Sequence, residues 1–237
     1  MKTYRRILLK ISGEALSSKN NSIDPQVTQK VSQIVSSVLA QNIEIGIVVG
    51  GGNIYRGAAL QESGMNRVVG DHIGMLATAM NALALNDTFR RNGINSMVMS
   101  GFEIGGGVCQ NFDHNQAKEN LSNKQVLIFC AGTGNPCFTT DTGAVLRGIE
   151  IEADIIFKAT KVDGVYTDDP IKNPKATKYT SLTFDEAIKN DLKIMDTAAF
   201  ALCKEHNIDI CVFSMLEDKD TLSKILQGQE LGTIVRN

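Results

Sequence analysis

Three short segments of the 237-residue chain concentrate glycine and positive charge in a way that suits phosphate. They are Lys10-Ile-Ser-Gly13, Gly50-Gly-Gly-Asn53 with Arg56 three residues on, and Gly132-Thr-Gly-Asn-Pro-Cys-Phe-Thr-Thr140. Glycine lets main-chain N–H groups approach phosphate oxygens closely, and a helix opening just afterwards adds its positive end. Taken singly, each is weak. A Gly-Gly-Gly run also makes a tight turn, and a lysine at the end of a strand also snorkels to solvent. Three such loops, two of them carrying a cation, point together to a bound polyanion.

Other phosphate and catalytic signatures are missing. There is no G-x-x-x-x-G-K-[ST], which excludes the P-loop as a motif. The dinucleotide fingerprint fails because the residue three beyond Gly52 is Tyr55 and three beyond Gly134 is Cys137. Neither H-R-D nor D-F-G occurs, so the protein-kinase set is absent. The only histidines are His72, His114 and His206, without H-E-x-x-H, so no histidine-rich metal centre is expected. The five cysteines, Cys109, Cys130, Cys137, Cys203 and Cys211, are scattered without a C-x-x-C pair and read as reduced intracellular thiols.

The loops need strands and helices to hold them. Arg6 to Ile11 is a short apolar run ending at Ser12-Gly13, as a buried strand stopped by a turn would be. Asp24-Pro25 supplies an N-cap and first-turn proline, and Val27, Val31, Ile34 and Val38 follow at helical spacing. Ile43 to Val49 is a second strand, ending in the glycine run. A long helical pattern follows, with Val69, Ile73, Leu76, Met80 and Leu83 on one face. Its further apolar residues Met75, Ala79 and Ala82 fit either a subunit interface or deep burial.

Ser96 to Met99, Gln125 to Ala131, Asp154 to Ala159 and Ile208 to Phe213 read as strands. Thr140 to Ile151, Ala198 to Glu205 and Asp220 to Gln227 read as helices. This alternation predicts an α/β fold, a three-layer αβα sandwich around a mostly parallel sheet, in one domain over residues 1–237. Ligands in such sheets bind beyond the carboxyl ends of the strands.

Hydrophobic residues make up 43%, and 24 Lys plus Arg face 26 Asp plus Glu for a net charge of -2. No broad basic surface is implied, and nucleic-acid binding is not expected. The apolar run Ile7 to Leu9 is broken at Lys10, short of a signal peptide, and no apolar stretch approaches the roughly 20 residues of a membrane span. A cytoplasmic protein without membrane contact is expected.

Six runs resemble the bacterial uridylate kinases, a family of the amino acid kinase fold. They are Lys10-Ile-Ser-Gly-Glu-Ala15, Gly50 to Gly57, Gly64-Met-Asn-Arg-Val-Val-Gly-Asp-His72, Gly132-Thr-Gly-Asn135 with Thr139-Thr-Asp141, Arg147 to Asp154, and Lys158-Ala-Thr-Lys-Val-Asp-Gly-Val165. The resemblance runs from about Arg5 to the C-terminus. Within it the Met-Asn-Arg-Val-Val-Gly-Asp run is the most specific. One region departs from the family pattern: Gly105-Gly-Gly107 is longer and richer in glycine, and Gln110 to His114 differs as well.

The resemblance implies transfer of the γ-phosphoryl group of ATP to UMP, with Mg2+ carried by ATP and no dedicated metal ligands in the protein. Lys10 resembles the lysine that contacts the transferred group, with Arg56 as a phosphate clamp and Asp141 as the aspartate that organises the cations. Lys10, Ser12, Gly13, Gly52, Arg56, Thr160, Tyr166 and Asp169 match positions that contact ATP. Gly51, Asp71, Thr133, Gly134, Asn135, Pro136, Cys137, Phe138, Thr139 and Thr140 match positions that contact UMP. A homohexamer built from dimers, activated by GTP and inhibited by UTP, is implied in the same way.

The residues alone leave other readings open. Asp71 also fits a cap for the helix carrying Ile73 and Leu76, Asp141 a carboxylate serving a helix dipole, and Tyr166 to Pro170 a polar turn. An amino acid or carbamate kinase, and a non-catalytic nucleotide-binding regulator or storage protein, share the fold. The assignment of Lys10 is open to test, because removing one preorganised donor costs about 10²–10³ in rate. Lys10→Ala is expected to lower kcat at least that far with the fold intact, and near-normal turnover would sink the assignment.

Overall fold

The computed structural model describes residues 4–55, 64–192, 194–216 and 218–237. The run Arg6–Ile11 is buried at every position and forms β1. Glu44–Val49 forms β2, likewise buried throughout. Such runs, apolar on both faces of the pleat, belong in a parallel sheet covered on both sides. The remaining strands are β3 (Ser96–Ser100), β4 (Gln110–Asn111), β5 (Val126–Cys130), β6 (Ile155–Thr160), β7 (Ser181–Thr183), β8 (Asp209–Ser214) and β9 (Thr233–Arg236). They form one sheet in the order β4-β3-β5-β2-β1-β6-β8-β9-β7. Every pairing is parallel except β8 with β9.

The helices are α1 (Pro25–Leu39), α2 (Arg67–Arg91), α3 (His114–Ser122), α4 (Thr140–Glu150), α5 (Phe184–Lys189), α6 (Thr197–His206) and α7 (Thr221–Leu226). The expected cap holds: Asp24 accepts from Gln26 N, with Pro25 opening α1. Because strand side chains alternate between faces, β1 feeds two cores. Ile7, Leu9 and Ile11 pack with α1, α2 and α7. Leu8 turns the other way, into the core shared with α3, α4, α5 and α6. Lys10 has the parity of Leu8, so the strand directs its ammonium toward the α4 side. In β6, Ile156 joins the second core, and Lys158 shares its parity.

The expected strands and the helices α1, α4, α6 and α7 are present within a residue or two of their predicted ends. Five short elements were not foreseen: β4, β7, β9, α3 and α5. Each is brief or exposed on one side, so its apolar period is too short to read.

Helix α2 corrects the expectation about its face. Val69, Leu76 and Met80 are 49%, 48% and 54% exposed, whereas Met75, Ala79, Ala82, Leu85 and Phe89 are buried. The buried side mixes Met75, Leu85 and Phe89 with small and polar residues, including Thr78 and Asn81, so large apolar residues occur on both sides and their spacing alone does not mark it. The helix is also long and apolar enough, by length and composition, to cross a membrane, contrary to the expectation that no stretch would be. Its inner side packs on β3 and β5 instead.

Candidate functional site

Lys10 and Lys158 are register partners on the adjacent parallel strands β1 and β6. Strands lie about 4.8 Å apart, so two ammonium groups meet in a largely buried place. Asp141, in the first turn of α4, lies between them. Lys10 Nζ is 2.9 Å from Asp141 Oδ1, and Lys158 Nζ is 2.7 Å from Oδ2. The side chains are 10%, 13% and 16% exposed. Lys158 also donates to the Ile194 carbonyl.

Burial alone would raise the Asp141 carboxyl. The ammonium groups of Lys10 and Lys158 outweigh it and hold the carboxyl below its ordinary value. Lys158 is pushed below the usual lysine value by burial, against the pull of Asp141. The cluster carries two positive charges and one negative, leaving one net cation for a ligand.

A cleft of about 270 Å³ opens on one side of this centre, among α2, the glycine run after β2 and the loop after β5. It is lined by Gly51, Gly52, Asp71, Thr133, Asn135, Phe138, Thr139 and Thr140, together with Arg67, Gly70 and Thr78. Two buried polar residues of α2 brace both loops. Asn81 donates to Gly50 O at 2.7 Å and exchanges amide hydrogen bonds with Asn53 at 2.7 and 2.9 Å. Thr78 Oγ1 accepts from Ala131 N at 2.7 Å.

The loop after β5 is seated through glycine. Gly134 has φ +81°, and a Cβ there would lie 2.2 Å from Gly101 O, so no side chain fits. At the rim, Asp71 accepts from Arg67 Nε at 3.0 and 2.9 Å and from Cys137 N at 2.7 Å. Burial would raise its carboxyl, but the Cys137 amide and Arg67 hold it low. Asp71 is therefore not the helix cap. Asn66 fills that position, accepting from Val68 N at 2.9 Å and Val69 N at 3.4 Å. Gly134, Pro136 and Cys137 belong to the same loop without lining the cleft.

A second cleft, about 700 Å³, lies beyond the ends of β6 and β8. Lys158, Thr160, Tyr166 and Asp169 line it, as do Asn190 and Ile194. Tyr166 Oη donates to Asp163 Oδ1 at 2.6 Å, and Thr160 Oγ1 donates to Val162 O at 2.6 Å. Lys10, Ser12 and Gly13 stand at the end of β1, in the strand between the two clefts. Gly13 touches the glycine run closely: a Cβ there would lie 2.6 Å from Gly52 N. Ser12 Oγ accepts from Ala15 N at 3.3 Å, capping a short 3-10 turn.

Most residues expected to act together are therefore brought together. Gly52, expected beside ATP, lines the smaller cleft next to Gly51. Arg56 lies outside the described residues. Lys158 opens the Lys158–Val165 run, in which the resemblance attaches no role to this lysine; its signal is the parity of an alternating strand beside Lys10. Asn81 and Thr78 carried no sequence signal, since the loop partners they brace lie 28 and 53 residues away.

No group of three or more His, Cys, Asp or Glu side chains suited to a metal occurs among the described residues. Asp141 Oδ1 is buried without an aligned hydrogen bond, its contact with Lys10 being an ion pair. One carboxylate oxygen of this kind fits a divalent cation that arrives with phosphate ligands of its own.

Buried lysines and glycine turns at the strand ends of a parallel sheet, set between two clefts, define an α/β protein equipped to handle phosphate. The chain belongs to the amino acid kinase family, whose model matches residues 5–214. The uridylate kinase of Ruthia magnifica subsp. Calyptogena magnifica is 64% identical over 100% of this chain and 99% of its own length. That of Alcanivorax borkumensis is 51% identical over 98% and 92%. Among solved structures, the UMP kinase of Bacillus anthracis superposes with a TM-score of 0.95 at 33% identity, covering 99% of this chain and 97% of that one. The UMP kinase of Ureaplasma parvum gives 0.91 at 36%, with both chains fully covered.

Removing one member of a buried ion cluster leaves the others uncompensated, at a cost of about 3–5 kcal/mol. Asp141→Asn is expected to lower stability by that order at pH 7, read from urea unfolding. The wild-type carboxyl is held low, so its contribution is complete above the ordinary value and disappears as pH falls through the lower folded one. Wild-type stability should therefore drop below about pH 4 by a component that the variant lacks. Parallel acid profiles would refute this.

Proposed function

We propose that the chain transfers the γ-phosphoryl group of ATP to UMP, producing ADP and UDP. The observation that carries this reading is the Lys10–Asp141–Lys158 cluster at the seam between two clefts of unequal size. The smaller cleft suits the monophosphate and the larger the triphosphate nucleotide. The names of the full-length relatives agree with it.

The acceptor needs little activation. The second pKa of a phosphate monoester is about 6, so UMP at neutral pH is largely a dianion and already a nucleophile. The work left to the protein is to align two polyanions and to offset charge on the equatorial oxygens of the moving group. Lys10 and Lys158 supply fixed positive charge from rigid strands, and Asp141 holds both in place. Main-chain N–H groups of the glycine turns offer further donors. Mg2+ carried by ATP would lie near Asp141 and supply additional neutralisation of the phosphate oxygens. Asp71, with Arg67, stands at the rim of the acceptor cleft, where its carboxylate can accept from sugar hydroxyls but would repel an amino acid carboxylate.

We further read the chain as one domain, since among the described residues a single nine-stranded sheet contains every strand, and as cytoplasmic, where its five free thiols persist reduced. A homohexamer, with GTP as activator and UTP as inhibitor, completes the reading. The exposed apolar stripe of Val69, Leu76 and Met80 on α2 supports self-association, because such patches mark contact surfaces. Light scattering that finds only monomer would remove the assembly.

A coupled ADP-release assay with ATP and Mg2+ tests the reaction, with UMP, CMP, dUMP, AMP, GMP, aspartate, glutamate and carbamate as separate acceptors. UMP is expected to give the strongest turnover, raised by GTP and lowered by UTP. Turnover with an amino acid or carbamate, or with none of the panel, would overturn the assignment.

A further inference from the structure

Asp196 lies outside every motif discussed above, yet its carboxylate is committed on all sides. It caps α6, accepting from Ala199 N at 2.9 Å. Both of its oxygens accept from Thr142 Oγ1, at 2.9 Å each. Its Oδ2 also accepts from the hydroxyl of Thr139. That last bond has a directional consequence. A hydroxyl has one proton, and Thr139 gives its proton to Asp196. The lone pairs of Thr139 Oγ1 are thereby left for the main-chain N–H groups of Asp141, at 3.1 Å, and Thr142, at 3.4 Å.

The first turn of α4 is thus oriented from α6 by one carboxylate acting through two hydroxyls. Two residues before Asp196, the Ile194 carbonyl accepts from Lys158. The segment 194–196 consequently grips both the strand lysine and the turn that presents its carboxylate partner. It borders the larger cleft through Ile194, and it reaches the smaller one only through Thr139, the hydroxyl partner of Asp196 that lines it.

We propose that Asp196 is a positioning residue for phosphoryl transfer, acting through Thr139 and Thr142 on the main chain of Asp141. The proposal rests on the reading of the lysine cluster as the transfer centre. Asp141 must meet two ammonium groups on separate strands at 2.9 and 2.7 Å, so a small rotation of the first turn of α4 opens one contact or the other. A misplacement of about 1 Å at a reacting centre costs on the order of 10²-fold in rate. The nucleotides keep their own contacts in the clefts, so their binding changes less than the chemical step.

Thr142 allows the clearest test, because it is buried and lines neither cleft, and because its loss leaves the Asp196 cap of α6 in place. The full chain would be assayed with ATP, Mg2+ and UMP as wild type, Thr142→Val, Thr142→Ser and Asp196→Asn, with thermal melting of each to measure the folded fraction. Thr142→Val and Asp196→Asn are expected to lower kcat by about 10–100-fold, with KM for both nucleotides within about threefold of wild type. Thr142→Ser, which returns the hydroxyl, is expected to recover kcat to within about threefold. Undiminished kcat in Thr142→Val would overturn the proposal. So would a loss that serine does not restore, or one that disappears once the folded fraction is accounted for. Inactivity of the wild type with UMP is a different result, which overturns the functional reading and this inference together.

Discussion

Two lysines side by side on neighbouring parallel strands repel each other, and burial strengthens the repulsion. The whole centre of this protein is arranged around relieving that contact with a single carboxylate. Asp141 reaches both ammonium groups because α4 starts beyond the strand ends with its first turn turned toward β1 and β6. The alternation of the strands then does the rest. The same parity that sends Leu8 and Ile156 into the second core brings Lys10 and Lys158 to the side where α4 lies. Without the carboxylate, burying the pair would be unfavourable. Without the lysines, Asp141 would be a buried acid with burial raising its pKa.

Around this centre, backbone shape matters more than side-chain bulk. Glycine loops pass within contact distance of one another, as Gly13 does with Gly52 and Gly134 with Gly101. Helix α2 supports them with Thr78 and Asn81, whose hydrogen bonds to main-chain groups are protected from water. Such bonds contribute about 1 kcal/mol each. Their larger effect is to fix where the N–H groups point. Main-chain donors need that precision because a backbone N–H cannot swing to meet a ligand as a long side chain can.

Much of this was legible in the residues. Apolar runs such as Arg6–Ile11 and Glu44–Val49 end at glycine, so both the strands and the loops at their ends could be read directly. Lys10 and Asp141 stood inside motifs. The face of α2 differs from the expected one because periodicity follows large apolar residues, and here they lie on both sides: Met75, Leu85 and Phe89 are buried among small and hydrogen-bonded residues, while Leu76 and Met80 point outward. Asp71 fitted a helix cap equally well until Asn66 was seen to fill that role. Asp196 was invisible for a different reason: an isolated aspartate before a helix reads as an ordinary cap, and only the tertiary fold shows that its other bonds reach Thr139 and Thr142.

The strand order has one more implication. Strand β1 lies at the seam: the smaller cleft draws on β2, β5 and α2, while the larger draws on β6, β8 and the segments that follow them. The chain between residues 50 and 140 therefore furnishes one pocket, and the chain beyond residue 158 furnishes the other. The two stretches meet at the charge cluster and at the bonds from Thr139 and Thr142 to Asp196. A scaffold divided in this way encodes its two pockets in successive stretches of chain, so that a change in one is felt by the other only across the seam.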